Sequence, residues 1–181
     1  SCPPSSSPAK NAPGRSCVYA QHSFAVYPLA TLARGARPIV VAARDFGHDL
    51  EAMLAAIDAD TRLVFVANPN NPTGTFVGAD EMAGFLDRVP RRVLVVLDEA
   101  YNEYLAPELR HPSIDWVRRL PNLRVARSFS QAFGLAGLRI GYGVAGPCVA
   151  EGLKLVRPPF NVASLAQVAA LAALGDEAHL R

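Results

Sequence analysis

The chain has 181 residues, half of them apolar and 19% charged, with a formal net charge of +2. That length suits one domain with a real core, near the size at which a chain hides roughly 70% of its unfolded surface. So small a charge argues against a nucleic-acid or polyanion partner, and no apolar run approaches the ~20 residues of a membrane-spanning helix.

The first residues, Ser1 to Ser16, lack the apolar centre of a secretory signal. Residues 1–15 are rich in Ser and Pro and poor in large apolar side chains, which reads as a disordered tail preceding a domain over 16–181. Cys2, Cys17 and Cys148 form no CxxC pair and no metal-ligand cluster with the histidines, so no metal is expected. They read as unpaired thiols in a reducing cytoplasm. Lysine is scarce: apart from Lys10 and Lys154, every basic residue is arginine.

From Ser16 on, β-branched runs alternate with helical patterns. Pro38–Ala43 predicts a strand, and Asp49–Ile57 a helix capped by Asp49. Arg62–Ala67 predicts a strand, Ala79–Val89 a helix, and Arg92–Asp98 a second, almost wholly apolar strand. Leu123–Arg127 predicts a third, with helices over Pro147–Val156 and Val162–Leu174. Continuous apolar strands imply burial on both faces. With helices between them, the fold class is α/β, a mostly parallel sheet with flanking helices. In such sheets the chemistry lies beyond the carboxyl ends of the strands.

Three strand ends stand out. Arg62–Ala67 runs into Asn68-Pro69-Asn70-Asn71-Pro72-Thr73-Gly74, whose prolines and glycine fix the backbone and the orientation of Asn71. The next strand ends in Asp98-Glu99-Ala100-Tyr101. A carboxylate there needs a cationic partner or donors, and Tyr101 can place a phenol on the same side. After Leu123–Arg127 come Ser128, Ser130, small residues and Arg139, a plausible anion cradle. Together they supply an amide, a carboxylate with a phenol, and a phosphate cradle. Pyridoxal phosphate would use each of these groups.

The order NPNNPTG, DEAY and SFSQAFGLAGLRIGY resembles the fold-type I pyridoxal-phosphate aminotransferases of class I/II. YAQHSFAVYPLATLARGA, GHDLEAMLAAID and RPPFNVASLAQ are further similar to the histidinol-phosphate aminotransferases among them. The likeness covers Val18 to Arg181. It implies a partial large domain of the aspartate aminotransferase-like fold. It also implies amino transfer between histidinol phosphate and 2-oxoglutarate in histidine biosynthesis, and a homodimer. It implies that Asp98 pairs with the cofactor's ring nitrogen, and that Asn71 and Tyr101 bond its phenolate oxygen. Ser128, Ser130 and Arg139 would hold the phosphate, and His22 falls where the family stacks an aromatic on the ring.

Two departures emerge from the same resemblance. The family's Schiff-base lysine comes directly after the second serine of SxSK, and Gln131 occupies that position. An amide is neither nucleophilic nor basic near neutral pH, so cofactor binding is expected to be non-covalent at best and activity impaired or absent. The family's first phosphate-binding helix start and its substrate-carboxylate arginine are not recognisable either, which implies a truncated, middle portion of a large domain. The alternatives are a non-catalytic remnant or interaction module with exposed core, and a dinucleotide-binding oxidoreductase. The latter rests on Gly141-Tyr142-Gly143-Val144-Ala145-Gly146, a GxGxxG match. It has only Leu138–Ile140 as a preceding strand and no acidic residue over 160–170.

Overall fold

The computed structural model describes residues 14–176 and 178–180. Of the expected Ser/Pro-rich tail, residues 1–13, with Cys2 and Lys10, lie outside the described residues.

The elements run β1 (Ser16–Ala20), α1 (Val26–Ala33), β2 (Arg37–Val41), α2 (Leu50–Ala55), β3 (Thr61–Ala67), α3 (Ala79–Arg88) and β4 (Leu94–Asp98). Next come α4 (Ser113–Arg119), β5 (Leu123–Ser128), β6 (Gly141–Ala145), α5 (Pro147–Val156) and α6 (Ser164–Leu174). Local chemistry accounts for several boundaries. The Asp49 side chain accepts a hydrogen bond from Ala52 N at 3.0 Å, capping α2 as expected. Asp80 and Glu81 lie in the first turn of α3 and Arg88 in its last, each matching the sign of the helix dipole there. Pro147 opens α5, where its missing N–H costs nothing.

The six strands form one sheet in the order β2-β1-β3-β4-β5-β6. β1 to β5 are parallel, and β6 pairs antiparallel with β5. The parallel sheet expected from the sequence is therefore present, with one added antiparallel edge. β1, α1, α4 and β6 carry no strong periodic or apolar signal and are not legible in the sequence.

The two faces are covered unequally. Val18, Ala20, Val64, Val66, Val95, Leu97 and Val125 face one core, closed by Leu50 and Met53 of α2, Met82, Phe85 and Leu86 of α3, and Trp116 and Val117 of α4. The other face carries a smaller cluster, Cys17, Tyr19, Leu63 and Ala67, closed by Tyr27 of α1. Burial on both faces holds for β1, whereas β4 alternates, with Leu94 and Val96 half-buried and Val95 and Leu97 buried. The physical reason is that three helices cover one face and α1 covers only part of the other.

Cys17 is a buried free thiol, and its burial pushes its pKa up to about 12. The expectation of unpaired thiols fails at Cys148, which is disulfide-bonded. No helix among the described residues is long and apolar enough to cross a membrane.

Candidate active site

The loop from Asn68 to Gly74 is fastened by its own side chains. Asn68 donates from Nδ2 to the Val77 carbonyl at 2.9 Å and accepts from Val77 N at 2.8 Å. Asn70 donates to the His22 carbonyl at 2.6 Å and to Thr73 Oγ1 at 2.8 Å. The Asn68–Pro69 and Asn71–Pro72 peptides are cis, and Gly74 takes a left-handed φ of 70° that suits glycine. Its flanking asparagines thus committed, the loop presents Asn71, whose Nδ2 donates to the Tyr101 hydroxyl at 3.2 Å.

At the end of β4 the strand's alternation separates two carboxylates. Asp98 accepts from the Tyr27 hydroxyl on Oδ2 at 2.7 Å and from Ala100 N on Oδ1 at 3.1 Å. Glu99 turns the other way and is almost wholly buried. Its Oε2 accepts from Ser113 Oγ at 2.9 Å and from Arg127 Nε and Nη2 at 3.0 and 2.8 Å. Burial pushes the Glu99 carboxyl up, and the Arg127 guanidinium pulls against it. This ion pair ties the residue after Asp98 to the residue before Ser128.

At the end of β5, Ser128 Oγ accepts from Ser130 N at 3.0 Å. Gln131 comes next, and its Oε1 is buried without a hydrogen-bond partner. Arg139, at a left-handed φ of 52°, is exposed and donates to the Ala136 carbonyl at 2.7 Å.

A cavity of about 160 Å³ lies at these strand ends, lined by Phe24, Tyr27, Ala67, Pro69, Asn71, Asp98, Ala100, Tyr101 and Gln131. The structure thus gathers Asn71, Asp98, Tyr101 and Gln131 around one space. Ser128, Ser130 and Arg139 are not in its wall, nor is His22, whose ring lies against Phe46 at 5.6 Å. Phe24, two residues on from His22, is in the wall, with Tyr27 and Tyr101. Lys154, on α5, is exposed and ion-paired with Glu151 at 2.7 Å.

Sequence reasoning missed Tyr27, Phe24 and the Glu99–Arg127 pair. Tyr27 and Phe24 had no signal, since neither β1 nor α1 is legible in the sequence. Glu99 had one, since the neighbour of an inward strand-end carboxylate must point to the opposite face. The glycines of the GxGxxG match have another purpose. Gly141 and Gly143 lie within β6, the antiparallel edge, and Gly146 is the N-cap of α5 just beyond it. A Cβ at Gly141 would come within 2.8 Å of the Arg127 carbonyl, and one at Gly143 within 2.9 Å of Arg124 Nε. Leu138, expected to start a preceding strand, closes a 3-10 turn instead.

Comparison with known proteins gives the family. Residues 8–181 match the family model described as aminotransferase class I and II. Histidinol-phosphate aminotransferase 2 of Ralstonia nicotianae is 63% identical over 170 residues, covering 94% of this chain and 46% of that protein. Histidinol-phosphate aminotransferase 1 of Cupriavidus pinatubonensis is 64% identical over 169 residues, with 93% and 45% covered. The crystal structure of histidinol-phosphate aminotransferase from Sinorhizobium meliloti in complex with pyridoxal-5'-phosphate superposes with a TM-score of 0.88 at 36% identity, covering 93% of this chain and 46% of that one. The chain spans about half the length of the curated relatives it matches. With its strand-end motifs, its sheet and this similarity in accord, the chain belongs to the class I and II aminotransferase family, whose cofactor is pyridoxal phosphate.

Proposed function

We propose that this chain forms the ring-binding part of a histidinol-phosphate aminotransferase site and holds pyridoxal phosphate without a covalent bond. The carrying observation is the convergence of Asp98, Asn71, Tyr101 and Gln131 on one cavity. Their chemistry fits the cofactor's ring. Asp98 is an acceptor for a protonated ring nitrogen, and Asn71 and Tyr101 are donors for a phenolate oxygen. Phe24 supplies an apolar wall for the ring face, the role the resemblance gave to His22. Ser128, Ser130 and Arg139 would hold the phosphate at the mouth, with Arg139 turning from the Ala136 carbonyl to do so. When bound, the cofactor supplies an electron sink that eases loss of a proton from the substrate α-carbon.

Gln131 limits the chemistry. Its amide has no basic nitrogen, so it cannot take a proton from the substrate carbon or attach the cofactor. Lys154, paired with Glu151 on an exposed helix, is no replacement. The reading is therefore a binding site with impaired amino transfer. Exposed apolar side chains on α6, among them Leu165, Val168 and Leu171, support a face that is covered in the assembled protein. The family resemblance makes a homodimer the expected assembly.

The test compares this chain with Gln131→Lys. Each is given pyridoxal phosphate, reduced with borohydride and mapped by mass spectrometry, and assayed for amino transfer from histidinol phosphate to 2-oxoglutarate. The reading predicts no lysine adduct and no turnover for this chain, and an adduct at residue 131 in the variant. Turnover by the unaltered chain with a stoichiometric lysine adduct would overturn it.

A further inference from the structure

We propose that Tyr27 is a positioning residue that fixes the Asp98 carboxylate for the cofactor's ring nitrogen; the proposal rests on the function proposed above. Tyr27 lies on α1 and is almost fully buried. Its ring stacks on Phe65 at 4.4 Å with the planes 1° apart, and meets the edge of Phe24 at 6.0 Å. Those contacts explain the ring, and phenylalanine would satisfy them as well. They leave the hydroxyl, which donates to Asp98 Oδ2 at 2.7 Å across a separation of 71 residues.

Ala100 N holds the other carboxylate oxygen. Asp98 is thus pinned by one donor from its own turn and one from a helix distant in sequence. One donor on each oxygen fixes the plane of the carboxylate, while each oxygen keeps acceptor capacity for a further partner. Burial, then the charge of Asp98 and the hydrogen bond to it, push the Tyr27 phenol far up, so it stays a donor throughout the physiological range. A carboxylate already oriented loses little freedom when it takes up a ring N–H, which strengthens that contact selectively.

The test uses two ligands, pyridoxal phosphate and its analogue with carbon in place of the ring nitrogen. Affinities are measured by titration on this chain, Tyr27→Phe, Asp98→Asn and the double variant. The parent is expected to prefer the natural cofactor by about tenfold or more. Tyr27→Phe shrinks that preference at least about threefold while its affinity for the analogue is unchanged. In the Asp98→Asn background the same change adds nothing. A fluorinated tyrosine at position 27, which keeps the ring and alters the strength of the donor, also shifts the preference and not the analogue's affinity.

An unchanged preference in Tyr27→Phe and in the fluorinated chain would overturn the proposal. So would equal weakening of both ligands, which marks a packing role only. If the parent binds neither ligand, the proposed function fails and the inference falls with it, an outcome distinct from the other two.

Discussion

At the ends of β3 and β4, Asn71, Asp98 and Tyr101 converge on one cavity, whereas Ser128 at the end of β5, and Ser130 and Arg139 in the β5–β6 connection, lie outside its wall. The central strands have neighbours on both sides, so their end loops are braced from several elements. Asp98 is held by α1 and its own turn, and the Asn71 loop by His22 and Val77. The β5–β6 loop packs through Phe129 and Phe133 on Ala170 of α6, and its polar groups turn to their own loop: Ser128 to Ser130, Arg139 to Ala136. On the proposed reading, recognition of the ring would be built into the sheet, while recognition of the phosphate would require Arg139 to exchange the Ala136 carbonyl for a new partner.

The Glu99–Arg127 pair joins these two ends, so breaking it should produce the largest effect. Arg127→Leu leaves Glu99 buried beside Ser113 without its cation and should cost about 3–5 kcal/mol of folding stability, read from urea denaturation. A loss below about 1 kcal/mol would mean that the ends are independent. Asp98→Asn removes the charge at the braced end and should weaken pyridoxal phosphate roughly 10- to 100-fold in a fluorescence titration. Asn71→Ala or Tyr101→Phe removes one neutral donor and should cost about 2- to 10-fold in the same titration. At the open end, Arg139→Ala should change folding stability by no more than about 0.5 kcal/mol, since the side chain is exposed. It should weaken pyridoxal phosphate less than about tenfold and leave phosphate-free pyridoxal unaffected. Equal loss of both ligands would remove Arg139 from the phosphate.

The same contrast explains what is legible in the sequence. β3 and β4 carry unbroken apolar runs because they lie inside the sheet, whereas the run of β5 is broken by Arg124, and Asp49 announces α2 because capping is a local interaction. Asn71, Asp98 and Tyr101 are readable because each lies just beyond such a run. β1 is hidden because its apolar run, residues 17–20, is too short to stand out, although all five of its residues are buried. β6 is hidden because its glycines, needed against Arg127 and Arg124, lower strand propensity and mimic a nucleotide-binding turn. Tyr27 cannot be tied to Asp98 from spacing, since α1 and β4 meet only through the strand order. His22 departs from its expected place for a related reason: its backbone carbonyl, not its ring, is tied to the site loop, through Asn70.

The central claim, a ring site that binds without a covalent bond, is met most directly by one titration. This chain, unaltered, is titrated with pyridoxal phosphate, split into reduced and unreduced portions, dialysed and weighed by mass spectrometry. The account predicts saturable binding and the unmodified mass in both portions. A cofactor mass retained on Lys154 after reduction, or binding that never saturates, would contradict it.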